Sequence, residues 1–216
     1  MAVNDRQAVE SCIEKGDLCK LLRLPEVLDD FSEASIIKSI EWLLKVDEKH
    51  IEKASKNVQY NDISKGVPWL GEDVDAPFTD KKCYALNVML GQKFSPQFLQ
   101  EEARSMSFDS VLILIKYLQF LLTWLPSVEE QSQCLPTLEQ IIDWLDALVD
   151  GHFQQLKLAE DANSILESLH QQVTVMANWQ LESKTLQGTL SELNRRFEEQ
   201  QKNMKMGDYC IEVISF

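Results

Sequence analysis

Apolar residues fall into a helical rhythm along most of the chain. In FSEASIIKSIEWLL, Phe31 to Leu44, the residues Ile36, Ile37, Ile40, Leu43 and Leu44 recur at three- and four-residue steps, and Ser32 stands where an N-cap belongs. The pattern returns 75 positions later in MSFDSVLILIKYLQFLL: Ser32, Ser35, Ile36, Ile37, Ile40, Trp42 and Leu43 meet Ser107, Ser110, Val111, Leu112, Ile115, Tyr117 and Leu118. A weaker third copy starts at the capping-box spacing Thr137-x-x-Gln140, followed by Ile141 and Ile142. Helices that repeat an apolar stripe bury it by stacking on one another.

Other stretches have different rhythms. Near the N-terminus, Ala8, Val9, Cys12 and Ile13 share a helical face, Gly16-Asp17 interrupts it, and Leu18, Leu21 and Leu22 begin a further turn expected to stop before Pro25. From about Ser55 to Asp80 the periodicity lapses into an acidic segment with isolated Tyr60, Trp69 and Phe78, which reads as a loop or linker. Its aromatic side chains suit anchors either to a partner or to the chain's own domain. Ser95-Pro96 then marks a helix start, with proline at the first position, where its missing N–H costs nothing.

The C-terminal fifty residues follow sevens. Leu158, Ile165, Gln172, Trp179, Leu186 and Leu193 form one series, and Ala162, Leu169, Met176, Ser183, Leu190 and Phe197 the other. Only Gln172 and Ser183 among these are polar, so the stretch predicts a long seam helix that packs on its own domain or pairs with another chain. Gly188 falls off the seam and is a candidate bend. In the closing YCIEVISF, Tyr209, Ile211 and Val213 alternate with Cys210, Glu212 and Ile214, which suits an extended segment laid on a sheet edge or in an apolar groove.

The expected fold is therefore all-α: an irregular α-solenoid or helical bundle ending in a long seam helix and a short extended tail. The predicted segments are an N-terminal helical part (1–54), an acidic loop or linker (55–80), a main helical domain with the long helix (81–206) and the tail (207–216). The scarcity of turn-makers, 7 Gly and 6 Pro in 216 residues, agrees with long helices.

Charge narrows the functions. The chain carries a formal net charge of −14, and its longest basic runs are the pairs Lys81-Lys82 and Arg195-Arg196. Nucleic acid is bound chiefly by Lys and Arg on phosphates, so this surface argues against direct RNA or DNA binding. The five cysteines form no C-x-x-C pair and the three histidines are far apart, which fits reduced thiols and predicts no metal site or cofactor. The most apolar run, VLILIKYLQFLLTWL, contains Lys116 and Gln119 and is shorter than a membrane span, so it reads as a buried helix and no membrane association is expected. Phosphate-binding glycine loops, H-E-x-x-H and G-x-S-x-G are absent from the sequence. Acidic doublets such as Asp29-Asp30 and Glu101-Glu102 point about 100° apart on a helix, which suits solvated faces. The sequence thus predicts a non-catalytic interaction protein. Candidate partner-binding residues are Tyr60, Trp69, Phe78, Tyr209, Ile211, Val213 and Phe216.

Three stretches resemble one known family: PTLEQIIDWLDALVDGHF, YALNVMLGQKFSPQFLQEEARSMSFDSVLILIKYLQFLL and the terminal YCIEVISF. With their T-L-E-Q-[IV]-x-D-W and Y-x-I-E-V patterns they are similar to the C-terminal region of the nucleolar protein 11 family, over most of Tyr84 to Phe216. The ending departs from the leucine-rich one expected of that family, which suggests a divergent member. The resemblance implies a fragment of a protein with a β-propeller before the helices. It also implies a nucleolar scaffold in the early-binding module of the small-subunit processome, acting in ribosomal RNA transcription and pre-ribosomal RNA processing. Implied partners are cirhin-like propeller proteins with helical C-terminal domains. The alternative is a helical adaptor in a vesicle-coat or ubiquitin-ligase assembly.

Overall fold

A computed structural model describes residues 5–28, 30–54, 60–71, 74–124 and 134–205, with the side chains of 52–54, 60–62 and 202–205 left aside. Among the described residues there are eleven helices and no strand, so the all-α expectation holds. In chain order they are α1 (Asp5–Lys15), α2 (Leu18–Val27), α3 (Glu33–Lys45), α4 (Glu48–Ala54), α5 (Tyr60–Gly66), α6 (Asp80–Leu90), α7 (Pro96–Ala103), α8 (Phe108–Trp124), α9 (Leu138–Gly151), α10 (Phe153–Leu158) and α11 (Glu160–Lys205). The chain divides into two units, Met1–Ile165 and Leu166–Phe216.

In the first unit α3 is the hub. It packs on α1, α6, α7 and α8, while α9 packs on α7, α8 and α10. The helices on either side of the 55–80 segment pack together, since α2, α3 and α4 all lie against α6. Part of that segment is itself helical: α5 packs on α6, where Asn87 Nδ2 donates to Gly66 O at 2.7 Å. Gly66 is needed at this approach, since a Cβ there would sit 2.7 Å from the Tyr84 ring and 3.2 Å from Cys134 Cβ.

The repeated helix starts share their geometry. Ser32 and Ser107 precede α3 and α8, and the buried Ser35 and Ser110 sit beside them with hydroxyl separations of 3.3 and 2.9 Å. Ile36 and Val111, Ile40 and Ile115, and Leu43 and Leu118 are all fully buried. The copies differ at the aromatic position: Tyr117 is buried, whereas Trp42 is part-exposed. The Thr137 capping box is complete, with Gln140 N donating to Thr137 Oγ1 at 3.2 Å and Thr137 N to Gln140 Oε1 at 2.9 Å.

Two local expectations change. Helix α2 continues through Pro25 to Val27, since proline falls in the last turn and costs only one intrahelical bond near the end; Leu28 N still reaches Leu24 O at 2.9 Å. The seam starts later than its sevens suggest. Leu158 ends α10 and is strongly exposed, and Ala159, in an extended conformation, separates it from α11.

Candidate interaction surface

Helix ends in the first unit are closed by side chains from other helices. Four carboxylates serve the N-cap backbone N–H groups of elements distant in sequence: Asp5 takes Ser32 N at 3.0 Å, Glu33 takes Ser95 N at 2.8 Å, Glu41 takes Ser107 N at 3.1 Å and Glu48 takes Thr79 N at 3.4 Å. An anion at a helix N-terminus satisfies an orphan donor and complements the helix dipole. The carbonyl ends are met in the same way. Lys82 Nζ, buried on α6, donates to Leu44 O at 3.1 Å and Val46 O at 3.2 Å at the end of α3. Trp144 Nε1 donates to Leu90 O at 3.2 Å, and Gln140 Nε2 to Gly91 O and Gln92 O at 3.2 and 3.1 Å, at the end of α6. Much of the polar chemistry here thus holds the fold.

Burial dominates the electrostatics of the interior. It pushes the Lys82 ammonium below its ordinary pKa, with Glu48 and Asp47 opposing. It raises the Cys12 thiol and drives Cys83 up to about 12, so neither is a nucleophile at neutral pH. Tyr117 is pushed well above its ordinary value by the same cause; its hydroxyl bonds Asn87 Oδ1 at 2.7 Å and Cys83 O at 3.2 Å. Among the described residues, no three His, Cys, Asp or Glu are grouped to hold a metal ion, and no helix is long and apolar enough to cross a membrane.

The sequence-predicted contact residues separate. Trp69 is 2% exposed: its ring packs edge-on against Phe120 at 4.8 Å and lies 5.8 Å from Trp124. It is an anchor to the chain's own domain, and offers a partner nothing while so buried. Phe78 is half-buried between the Tyr117 ring at 5.5 Å and Lys82 Nζ at 4.7 Å. Tyr60 opens α5, with its side chain outside the described set. Tyr209, Ile211, Val213 and Phe216 lie outside the described residues.

Large apolar side chains are exposed elsewhere. In the first unit these include Phe98 on α7 and Phe153 on α10, which sequence reasoning passed over because single apolar residues on solvated faces leave no periodic signal, and Ile142 on α9, which the sequence counts in the repeated apolar stripe. In the second unit, Trp179, Leu186, Leu190, Leu193 and Phe197 are each more than half exposed. These five all belong to the seam that the sequence predicts.

Comparison with known proteins fixes the kinship. The sequence profile of the nucleolar protein 11 C-terminal domain matches residues 12–216. Nucleolar protein 11 of Xenopus laevis is 25% identical over 134 residues, which covers 61% of this chain and 19% of the relative. A nucleolar protein 11-like protein of Danio rerio is 28% identical over 149 residues (68% and 20%), and nucleolar protein 11 of Pongo abelii 29% over 148 (66% and 20%). The chain spans about a fifth of the length of these relatives. A match that runs from the last turn of α1 through α11 and beyond places this chain in the nucleolar protein 11 family, as its C-terminal domain.

Proposed function

We propose that this domain is a non-catalytic protein–protein scaffold of a nucleolar ribosome-biogenesis factor, acting in ribosomal RNA transcription and small-subunit pre-ribosomal RNA processing. Membership of the nucleolar protein 11 family carries this reading. The acidic charge and the exposed apolar side chains of an otherwise well-buried helical body support a role in binding proteins rather than RNA. Its partners are other proteins of the processome's early-binding module, of the cirhin-like kind that ends in a helical domain. Tyr60, Phe78 and the tail residues Tyr209, Ile211, Val213 and Phe216 are the proposed contacts.

Affinity purification of the tagged chain from cells, followed by mass spectrometry, tests this. Processome proteins are the expected yield; coat or ubiquitin-ligase subunits in their place would favour the adaptor reading. Repeating the purification without Tyr209–Phe216 tests the tail. Lost partners at an unchanged melting temperature would assign it to assembly. A lower melting temperature with partners retained would assign it to the chain's own fold.

A further inference from the structure

Within the second unit, α11 turns an apolar stripe to solvent from Met176 to Phe197, about 33 Å of helix. In heptad terms Met176, Ser183, Leu190 and Phe197 are a positions, and Trp179, Leu186, Leu193 and Gln200 are d positions. The residues flanking this stripe are almost free of charge. The e positions hold Val173, Gln180, Gln187, Asn194 and Gln201, and the g positions Val175, Glu182, Thr189 and Arg196. The remaining charges of the stretch, including Glu167, Lys184, Glu192, Arg195, Glu198 and Glu199, fall on the opposite face.

The two flanking charges have opposite signs and both sit at g, fourteen positions apart. We propose that this stripe pairs with the same stripe of a second copy of the chain, antiparallel, about a two-fold axis near Gly188. In that arrangement Leu186 faces Leu190 of the second copy, Trp179 faces Phe197, and the small Ser183 faces Leu193. On one flank g meets g, so Glu182 lies beside Arg196 of the second copy, twice by symmetry. Glu182 makes no ion pair among the described residues, and Arg196 engages Glu192 through Nε at 2.9 Å. Parallel pairing in register lacks these matches. It stacks indole on indole in one layer and serine on serine in another, and sets Glu182 and Arg196 against Gln187 and Gln201.

The area is sufficient. Trp179, Leu186, Leu190, Leu193 and Phe197, with exposures of 66%, 64%, 58%, 55% and 67%, offer roughly 100–150 Å² each. Two copies together then reach about 1,000–1,500 Å², which enters the range of stable interfaces. The charge permits it too: the stretch from Leu166 to Gln201 carries five acidic and three basic residues, so most of the chain's negative charge lies elsewhere.

The proposal is independent of the functional reading and is tested on the purified full chain by sedimentation equilibrium. A dimer of twice 24.9 kDa at low micromolar concentration is expected, becoming monomeric in L186E/L190E with an unchanged circular dichroism spectrum. Glu182→Arg alone and Arg196→Glu alone should each weaken the dimer roughly tenfold, because each sets like charges together twice, and E182R/R196E should restore it. A chain that stays monomeric at about 100 μM, or that pairs only with a helix of another protein, overturns the proposal. So does a dimer indifferent to L186E/L190E, or a double reversal that fails to rescue.

Discussion

Asp5 shows how one side chain ties local structure to the fold. Burial pushes its carboxyl up, but the hydroxyl and backbone of Ser32 and the hydroxyl of Ser35 donate to it and outweigh that, bringing it down to about 2. A carboxyl held below its unfolded value of about 3.9 contributes stability above that pH, and the contribution is lost as pH falls towards 2. Asp5→Asn should therefore destabilise the domain by a constant amount above about pH 5, and the gap to wild type should close between about pH 4 and pH 2 in urea titrations. Trp144 combines two roles: it is fully buried against Phe94 at 5.6 Å and donates to Leu90 O. Trp144→Phe, which removes the donor and keeps most of the ring, should cost about 1–2 kcal/mol, and Trp144→Ala about 3–5 kcal/mol, by chemical denaturation.

Among the elements, α11 and the helices of the first unit are stabilised differently. Helices α3, α6, α7 and α8 bury an apolar face, and side chains from other helices of the first unit cap their ends. From Ala177 to Gln201, α11 has no buried residue and relies on local terms, including the Arg195 and Arg196 pairs with Glu192 and the pair of Arg195 with Glu199. Exposed pairs of this kind are screened by solvent and contribute little, so intrinsic propensity weighs heavily there. The expected bend at Gly188 is not an interruption, because α11 runs through it as one helix. A Cβ at Gly188 meets nothing within 4 Å, so Gly188→Ala should add about 0.5–1 kcal/mol of local stability, read as slower amide exchange between Leu181 and Asn194.

For the whole molecule, the charge of −14 sets what approaches the surface. Exposed acidic side chains repel phosphates, and the Arg195-Arg196 pair is engaged by Glu192 and Glu199. The chain should produce no mobility shift of structured or single-stranded RNA at micromolar concentration and physiological salt; tight binding that weakened steeply with salt would contradict this.

The elements were legible because helix signals are local. Ser32, Ser107, Thr137 and Ser95-Pro96 each announce a start through neighbours within four residues, and the heptads of α11 can be counted from the sequence. Trp144 could be placed in the core because its own helix supplies the phase. Trp69 could not: outside any periodic run nothing local states which way an indole points, and only the approach of Phe120 and Trp124 turns it inward. Likewise α5 is too short to show a period, and its docking depends on Gly66 meeting Tyr84. The carboxylate caps of Asp5, Glu33, Glu41 and Glu48 join residues 27 to 66 positions apart. A lone acidic residue in sequence looks the same whether it faces water or another helix's N-terminus. The helices follow from interactions within a few residues, whereas their mutual capping and the fate of Trp69 depend on which surfaces the tertiary structure brings together.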